Sequence, residues 1–198
     1  MSVTRVAYTV EGWGEGELWF EGSRLVWHEL PHPRAAAVEE PWPIQPASRQ
    51  PHPHPVGGRG STTRLPLRST VPAERARRGD GIAPTSRRLL HTLARYFDGD
   101  PVSFEDVELD LDGLTPFQLE TAAALRRVPY GSFVSYADLA RAAGYPNAQR
   151  AAGSFCAHNR YPLVLPCHRV VSSSGIGSYG SLGVQYKRRL LELEGVAL

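Results

Sequence analysis

Leu165-Pro166-Cys167-His168-Arg169-Val170-Val171 is the stretch on which this chain of 198 residues turns. It holds one of the two cysteines, with a proline before it and a histidine directly after. A thiol beside an imidazole pairs a nucleophile with a base that can activate it. Taken alone the pair decides little, because a free cysteine is more often an inert, buried, small hydrophobe. The residues on either side carry the argument.

Upstream, Asn159-Arg160-Tyr161-Pro162 ends a helix predicted over 148–157 and capped by Asn147. Before it, Ser135-Tyr136-Ala137-Asp138 reads as a capping box that opens a short helix through Leu139, Ala140 and Ala143. Gly144-Tyr145-Pro146 joins the two helices. That is a helix-turn-helix pattern with 148–157 as the recognition helix, although a plain αα-hairpin in a core fits the same residues. Earlier still, Thr115-Pro116-Phe117-Gln118 is a second capping box with proline at the first helical position. Its helix runs through Leu119, Ala122, Ala123 and Leu125 and stops at Pro129-Tyr130-Gly131. Downstream of the central stretch lie a glycine- and serine-rich loop, Ser172 to Gly180, and a final helix from about Gln185 to Glu194. Cys156 falls on the recognition helix and is expected to be packed.

The N-terminal half reads differently. Thr4–Val10, Leu18–Phe20 and Arg24–His28 predict three short strands with turns at 12–16 and 21–23. Leu89, Leu90, Leu93, Tyr96 and Phe97 repeat at helical spacing and mark the apolar face of a helix that Gly99 can stop. Residues 102–111 alternate apolar with acidic and predict a further strand. Between these parts, 31–84 holds 11 of the 17 prolines and few bulky apolar residues, which predicts a long, poorly ordered connection. His32, His52 and His54 lie in or beside it, and proline-broken spacing is poor ligand geometry, so no metal is expected.

The expected class is therefore α+β. A small antiparallel sheet plus helix (1–30 and 85–113) precedes a mostly helical, winged-helix-like unit (114–198), with 31–84 between them. Apolar residues make up 41% of the chain, enough for a core, and no run approaches the ~18–20 residues of a membrane span. The N-terminus lacks a basic-then-apolar leader pattern. Two cysteines suit a reducing compartment, and the cytoplasm is expected, with nucleoid association when bound to DNA. Residues 1–114 carry 13 Lys/Arg against 16 Asp/Glu, and 115–198 carry 9 against 4. The basic C-terminal part favours a polyanionic partner, although a solvated basic face has the same composition.

Residues 115–195 closely resemble the O6-alkylguanine-DNA alkyltransferase family. The resemblance rests on Pro129-Tyr130-Gly131, Ser135-Tyr136, Arg150-Ala151-Ala152-Gly153, Asn159, Pro166-Cys167-His168-Arg169-Val170-Val171, Gly177-Ser178-Tyr179-Gly180 and Lys187…Leu190-Leu191…Glu194. It implies double-stranded DNA carrying O6-alkylguanine as partner, and O4-alkylthymine as a further candidate lesion. It implies a monomer, no cofactor, and a thiol that keeps the alkyl group so that each molecule acts once. Cys167 would be the acceptor. His168 would take its proton through a bridging water, with Glu194 holding the imidazole. Asn159 would fix the turn, and Tyr136 would donate to the purine N3. Arg150 would fill the space left by a flipped base. Ser135, Tyr136, Ala151, Gly153 and Arg169 would line the DNA, the recognition helix lying in the minor groove. Tyr136, Val170, Tyr179 and Gly180 would form the base pocket, with carbonyls at Cys167 and Val170 reading the guanine edge. Some members carry an N-terminal zinc site built on cysteines, and this N-terminal half has none.

Three rival functions have less sequence support. An alkyltransferase-like binding module replaces the cysteine that is intact here. A cysteine hydrolase needs an oxyanion hole and an acyl pocket, for which there is no signal. A simple helix-turn-helix regulator has no use for Cys-His-Arg.

Overall fold

The computed structural model describes residues 3–33, 62–67 and 83–198. Strands β1 (Val3–Val10), β2 (Gly14–Glu21) and β3 (Arg24–His32) form an antiparallel meander. Alternation sets one face inward: Val6, Tyr8 and Val10 from β1, Leu18 and Phe20 from β2, and Leu25 and Leu30 from β3 are all buried. Helix α1 (Pro84–Phe97) turns Leu89, Leu90, Leu93, Tyr96 and Phe97 into the core, as its spacing predicts.

Two expectations for this half need correction. Thr62–Leu67, inside the predicted connection, forms strand β4, which pairs parallel to β1 and gives the order β3-β2-β1-β4. The ends of that connection belong to or flank β3 and α1, and 34–61 and 68–82, with His52 and His54, lie outside the described residues. Residues 102–111 make no strand. Ser103 accepts the Glu105 N–H and the Phe104 carbonyl accepts that of Val107, closing a turn at Glu105-Asp106 that breaks the alternation. Only a single bridge to Leu25 at Leu109 remains, along the β3 edge.

The C-terminal half begins with α2 (Pro116–Arg126), capped reciprocally by Thr115 and Gln118. Ser135 and Asp138 make the second capping box, opening α3 (Tyr136–Ala142). Helix α4 (Gln149–Ala157) follows after a turn. Asn147 is not its cap: Ala148 holds that position, and Asn147 sits in the turn at φ 76°, a left-handed conformation that asparagine tolerates. Ala140 and Ala152 are fully buried where α3 and α4 pack. A two-stranded parallel sheet, β5 (Val134–Ser135) with β6 (Val170–Val171), ties the start of α3 to the residues after Cys167. Helix α5 (Gly183–Leu193) closes the chain.

One hydrophobic cluster runs through both halves. His28 on β3 is a principal joint. Its backbone N–H donates to the Arg160 carbonyl, and its Nδ1 lies 2.7 Å from the Pro162 carbonyl oxygen. A carbonyl only accepts, so Nδ1 carries the proton and Nε2 accepts from the Tyr8 hydroxyl at 2.6 Å. Burial takes the His28 pKa down to about 4, against the Pro162 hydrogen bond. The unfolded chain therefore binds a proton below pH ~6.5 that the folded chain refuses, and stability falls with pH between 6.5 and 4. The expected loss from this residue is about 2 kcal/mol at pH 5 relative to pH 8. Urea unfolding of wild type and His28→Gln at both pH values measures it. An equal pH dependence in the two proteins would contradict it.

Candidate active site

Cys167 opens a single 3₁₀ turn, Cys167–Arg169, directly before β6. Asn159, just beyond α4, fastens that turn. Its Nδ2 donates to the Leu165 carbonyl at 2.7 Å and to Cys167 Sγ at 3.0 Å, while its Oδ1 accepts the Tyr161 N–H. The thiol is buried. Burial pushes its pKa up, and the Asn159 hydrogen bond and the Lys187 charge pull it back. At rest it is a thiol that needs a base.

His168 is fully buried, and its Nε2 lies 2.7 Å from Glu194 Oε1. An ionised carboxylate only accepts, so Nε2 carries the proton and Nδ1 is left as the basic nitrogen. Nδ1 is buried and has no hydrogen-bond partner among the described residues. Burial holds the His168 pKa down, opposed by Glu194. The imidazole is therefore neutral and ready to accept a proton.

Burial alone would push the Glu194 pKa up. The His168 hydrogen bond, with the Arg169 hydrogen bonds and charge, outweighs that and holds it well below the usual carboxylate range. Arg169 clamps both oxygens, Nε to Oε2 at 2.9 Å and Nη2 to Oε1 at 3.0 Å. The Gly131 N–H reaches Oε2 at 3.2 Å, and the Tyr96 hydroxyl donates to Oε1 at 2.8 Å. Gly131 stands at φ 72°, and a Cβ there would sit 3.2 Å from the Glu194 carbonyl oxygen, so glycine suits the position on both counts.

Tyr136 begins α3, half-buried, with the Gly177 loop beside its hydroxyl and Gly153 of α4 beside its ring. Burial, followed by the charges of Cys156 and Cys167, moves its pKa up to about 12, so it keeps its donor proton at neutral pH. Lys187, on the inward face of α5, is fully buried; its Nζ donates to the Val170 carbonyl at 2.5 Å and lies 6.0 Å from the Tyr136 ring centre. Among the described residues no group of three His, Cys, Asp or Glu could hold a metal ion.

A buried thiol, a tautomer-locked histidine, a carboxylate and two helices joined by a turn thus lie together in the C-terminal half. Residues 116–196 match the family model for the 6-O-methylguanine DNA methyltransferase DNA binding domain. The methylated-DNA–protein-cysteine methyltransferase of Methanopyrus kandleri is 39% identical over 129 residues, which are 65% of this chain and 95% of that one. The chain belongs to this methyltransferase family. The Mycobacterium tuberculosis relative of the same name is 47% identical over 103 residues, 52% of this chain and 61% of its own. A crystal structure of Mycobacterium tuberculosis OGT in complex with DNA superposes with a TM-score of 0.63 at 32% identity, covering 96% of this chain and 93% of that one.

Set against the methyltransferase residues expected from sequence, Asn159 bonds the Cys167 thiol, Tyr136 lies within its electrostatic reach, and Glu194 bonds His168, the next residue in the chain. Arg150 and Ala151 are exposed on α4, Ser135 is half-buried at the start of α3, and Gly180 is exposed on the loop. Tyr179 is buried, and the charges of its phenol and the Cys167 thiol act on each other. Arg169 is the correction. It is buried, its charge is spent on Glu194, and its Nη1 donates to the Val128 carbonyl at 2.6 Å, so it does not face DNA. The Val170 carbonyl already accepts from Lys187, and that of Cys167 accepts the Val170 N–H, so each has one lone pair in use.

Sequence reasoning missed Lys187 and Tyr96 as site residues. Lys187 had a signal: it occupies the same helical stripe as the buried Leu190 and Leu191, where a lysine is costly unless its head is hydrogen-bonded. Tyr96 had none, because a tyrosine on an apolar stripe reads as core.

Proposed function

We propose that the protein repairs DNA by moving the alkyl group of O6-alkylguanine onto its own Cys167, once per molecule. The observation that carries this is a buried thiol held by Asn159, followed in the chain by a histidine whose Nε2 is bonded to Glu194 and whose Nδ1 is left open as a base. The Cys167 proton passes to His168 Nδ1 across a bridging water, and Glu194 stabilises the resulting imidazolium, the logic of an acid-base-nucleophile triad. The thiolate then attacks the alkyl carbon. The S–C bond forms as the C–O6 bond breaks, and the electron pair stays on O6 and spreads into the purine. Tyr136 donates its phenolic hydrogen at N3 as that charge develops.

A paired base cannot present its O6 substituent to a buried thiol, so the nucleotide leaves the stack, at a cost of a few kcal/mol. Arg150, exposed on α4, takes the vacated space with its planar guanidinium. The small side chains of Ala151 and Gly153 let α4 approach the minor groove. The excess of Lys/Arg over Asp/Glu in 115–198 draws the duplex to this half.

Incubation with duplex DNA containing O6-methylguanine should add one methylene mass to the peptide bearing Cys167, with no turnover beyond one equivalent. Tight DNA binding with Cys167 unmodified would instead favour a damage-binding module. Arg150→Ala should slow repair of duplex DNA about tenfold or more while sparing reaction with the free modified base. Equal losses on both substrates would rule out its role in base extrusion.

A further inference from the structure

The helix of the N-terminal half that packs behind the site brings one hydroxyl to it. We propose that Tyr96 is a positioning residue for the transfer reaction, its hydroxyl holding the Glu194 carboxylate in the orientation that keeps His168 a base at Nδ1. The inference rests on the assignment of Cys167 as acceptor.

Tyr96 lies on the inward face of α1 with Leu93 and Phe97 and is fully buried. Phenylalanine would serve as well for packing there, and a buried hydroxyl is costly unless it finds a partner. Its partner is the catalytic carboxylate. The hydroxyl donates to Glu194 Oε1 at 2.8 Å, the same oxygen that accepts His168 Nε2 at 2.7 Å. The Tyr96 ring also stands edge-on to the imidazole, with centroids 6.4 Å apart and planes at 71°. One side chain therefore touches both members of the pair.

The other donors to this carboxylate pull differently. Arg169 spans both oxygens, Nε reaching each and Nη2 reaching Oε1, and Gly131 takes Oε2, so their pull is divided between the two. Tyr96 adds a donor to Oε1 alone. That fixes the carboxylate against rotation toward the guanidinium and keeps Nε2 as the protonated nitrogen. If the Nε2 bond loosens, the imidazole can protonate at Nδ1, and that tautomer cannot accept the Cys167 proton. Among the described residues Tyr96 is the N-terminal side chain that reaches Glu194, so it couples the chemistry to the packing of the sheet-and-helix half.

Tyr96→Phe keeps the ring and deletes the hydroxyl. In single-turnover reactions on saturating methylated duplex, the transfer rate constant should fall about tenfold or more, with DNA affinity unchanged. In the 15N-labelled free protein, the hydrogen-bonded Nε2–H resonance of His168 should shift or broaden, a readout that needs no substrate. Leu93→Ala, one turn earlier on the same face, is the packing control; it should lose stability but keep both the rate and the resonance. A Tyr96→Phe protein with wild-type rate and resonance would overturn the proposal. So would a rate loss matched by Leu93→Ala, or one shared by DNA affinity. A wild-type protein that transfers nothing would instead refute the acceptor assignment, leaving the resonance to decide whether Tyr96 holds the pair.

Discussion

Cys167→Ala is expected to transfer no alkyl group while holding methylated duplex DNA within about twofold of wild-type affinity. The loss should be complete because no other side chain can replace the thiol. Cys156, the only other cysteine, is partly buried on α4, and burial together with the nearby Cys167 charge pushes its pKa far up. The substitution disturbs little else. Asn159 loses its bond to Sγ but keeps the Leu165 carbonyl and the Tyr161 N–H, so the turn that carries position 167 stays fastened. The exposed face of α4 is untouched. Intact-mass analysis after incubation with methylated DNA reads the first half, and fluorescence anisotropy at fixed salt reads the second. Any alkylated species in the variant would refute Cys167 as the sole acceptor.

Glu194→Gln should be the most damaging single change to stability, and it should also slow transfer strongly. Hydrogen-bond donors from Tyr96, His168, Arg169 and Gly131 all converge on this carboxylate. Glutamine offers one acceptor oxygen and an NH₂ group that must face at least one of those donors. The buried Arg169 is left without its counter-charge, and breaking such a pair costs about 3–5 kcal/mol. His168 is then free to turn Nε2 into an acceptor by moving its proton to Nδ1. That removes the base that Cys167 needs, at a cost of about 100-fold or more in transfer rate. Urea unfolding and single-turnover kinetics measure the two effects. A variant within about 1 kcal/mol of wild-type stability would mean that the buried cluster is not held by charge.

Much of this site was legible in the residues themselves. The capping boxes at Thr115 and Ser135 predicted where α2 and α3 begin, because an N-cap signal lies within four residues. Cys167 and His168 are adjacent in the chain, and their pairing needs no tertiary information. Other features escaped for identifiable reasons. β4 sits among prolines and has no alternation to reveal it; its place comes from pairing with β1, more than fifty residues away. Residues 102–111 alternate like a strand, yet a local turn at Glu105-Asp106 prevails over the pattern.

Arg169 marks the same boundary inside the catalytic stretch. The family resemblance placed it among the residues lining DNA, whereas the fold turns it inward onto Glu194, 25 residues further on. Sequence by itself determined the two helices joined at Gly144-Tyr145-Pro146, the thiol-imidazole pair and the acidic residue at the end of the last helix. Caps, periodicity and adjacency are written within a turn or two of chain. Only the tertiary structure decided which atoms face Glu194, that Lys187 is buried, and that Tyr96 reaches the site from the N-terminal half. The partner of a buried polar group is whichever remote atom packing brings within about 3 Å, and no local pattern records that distance.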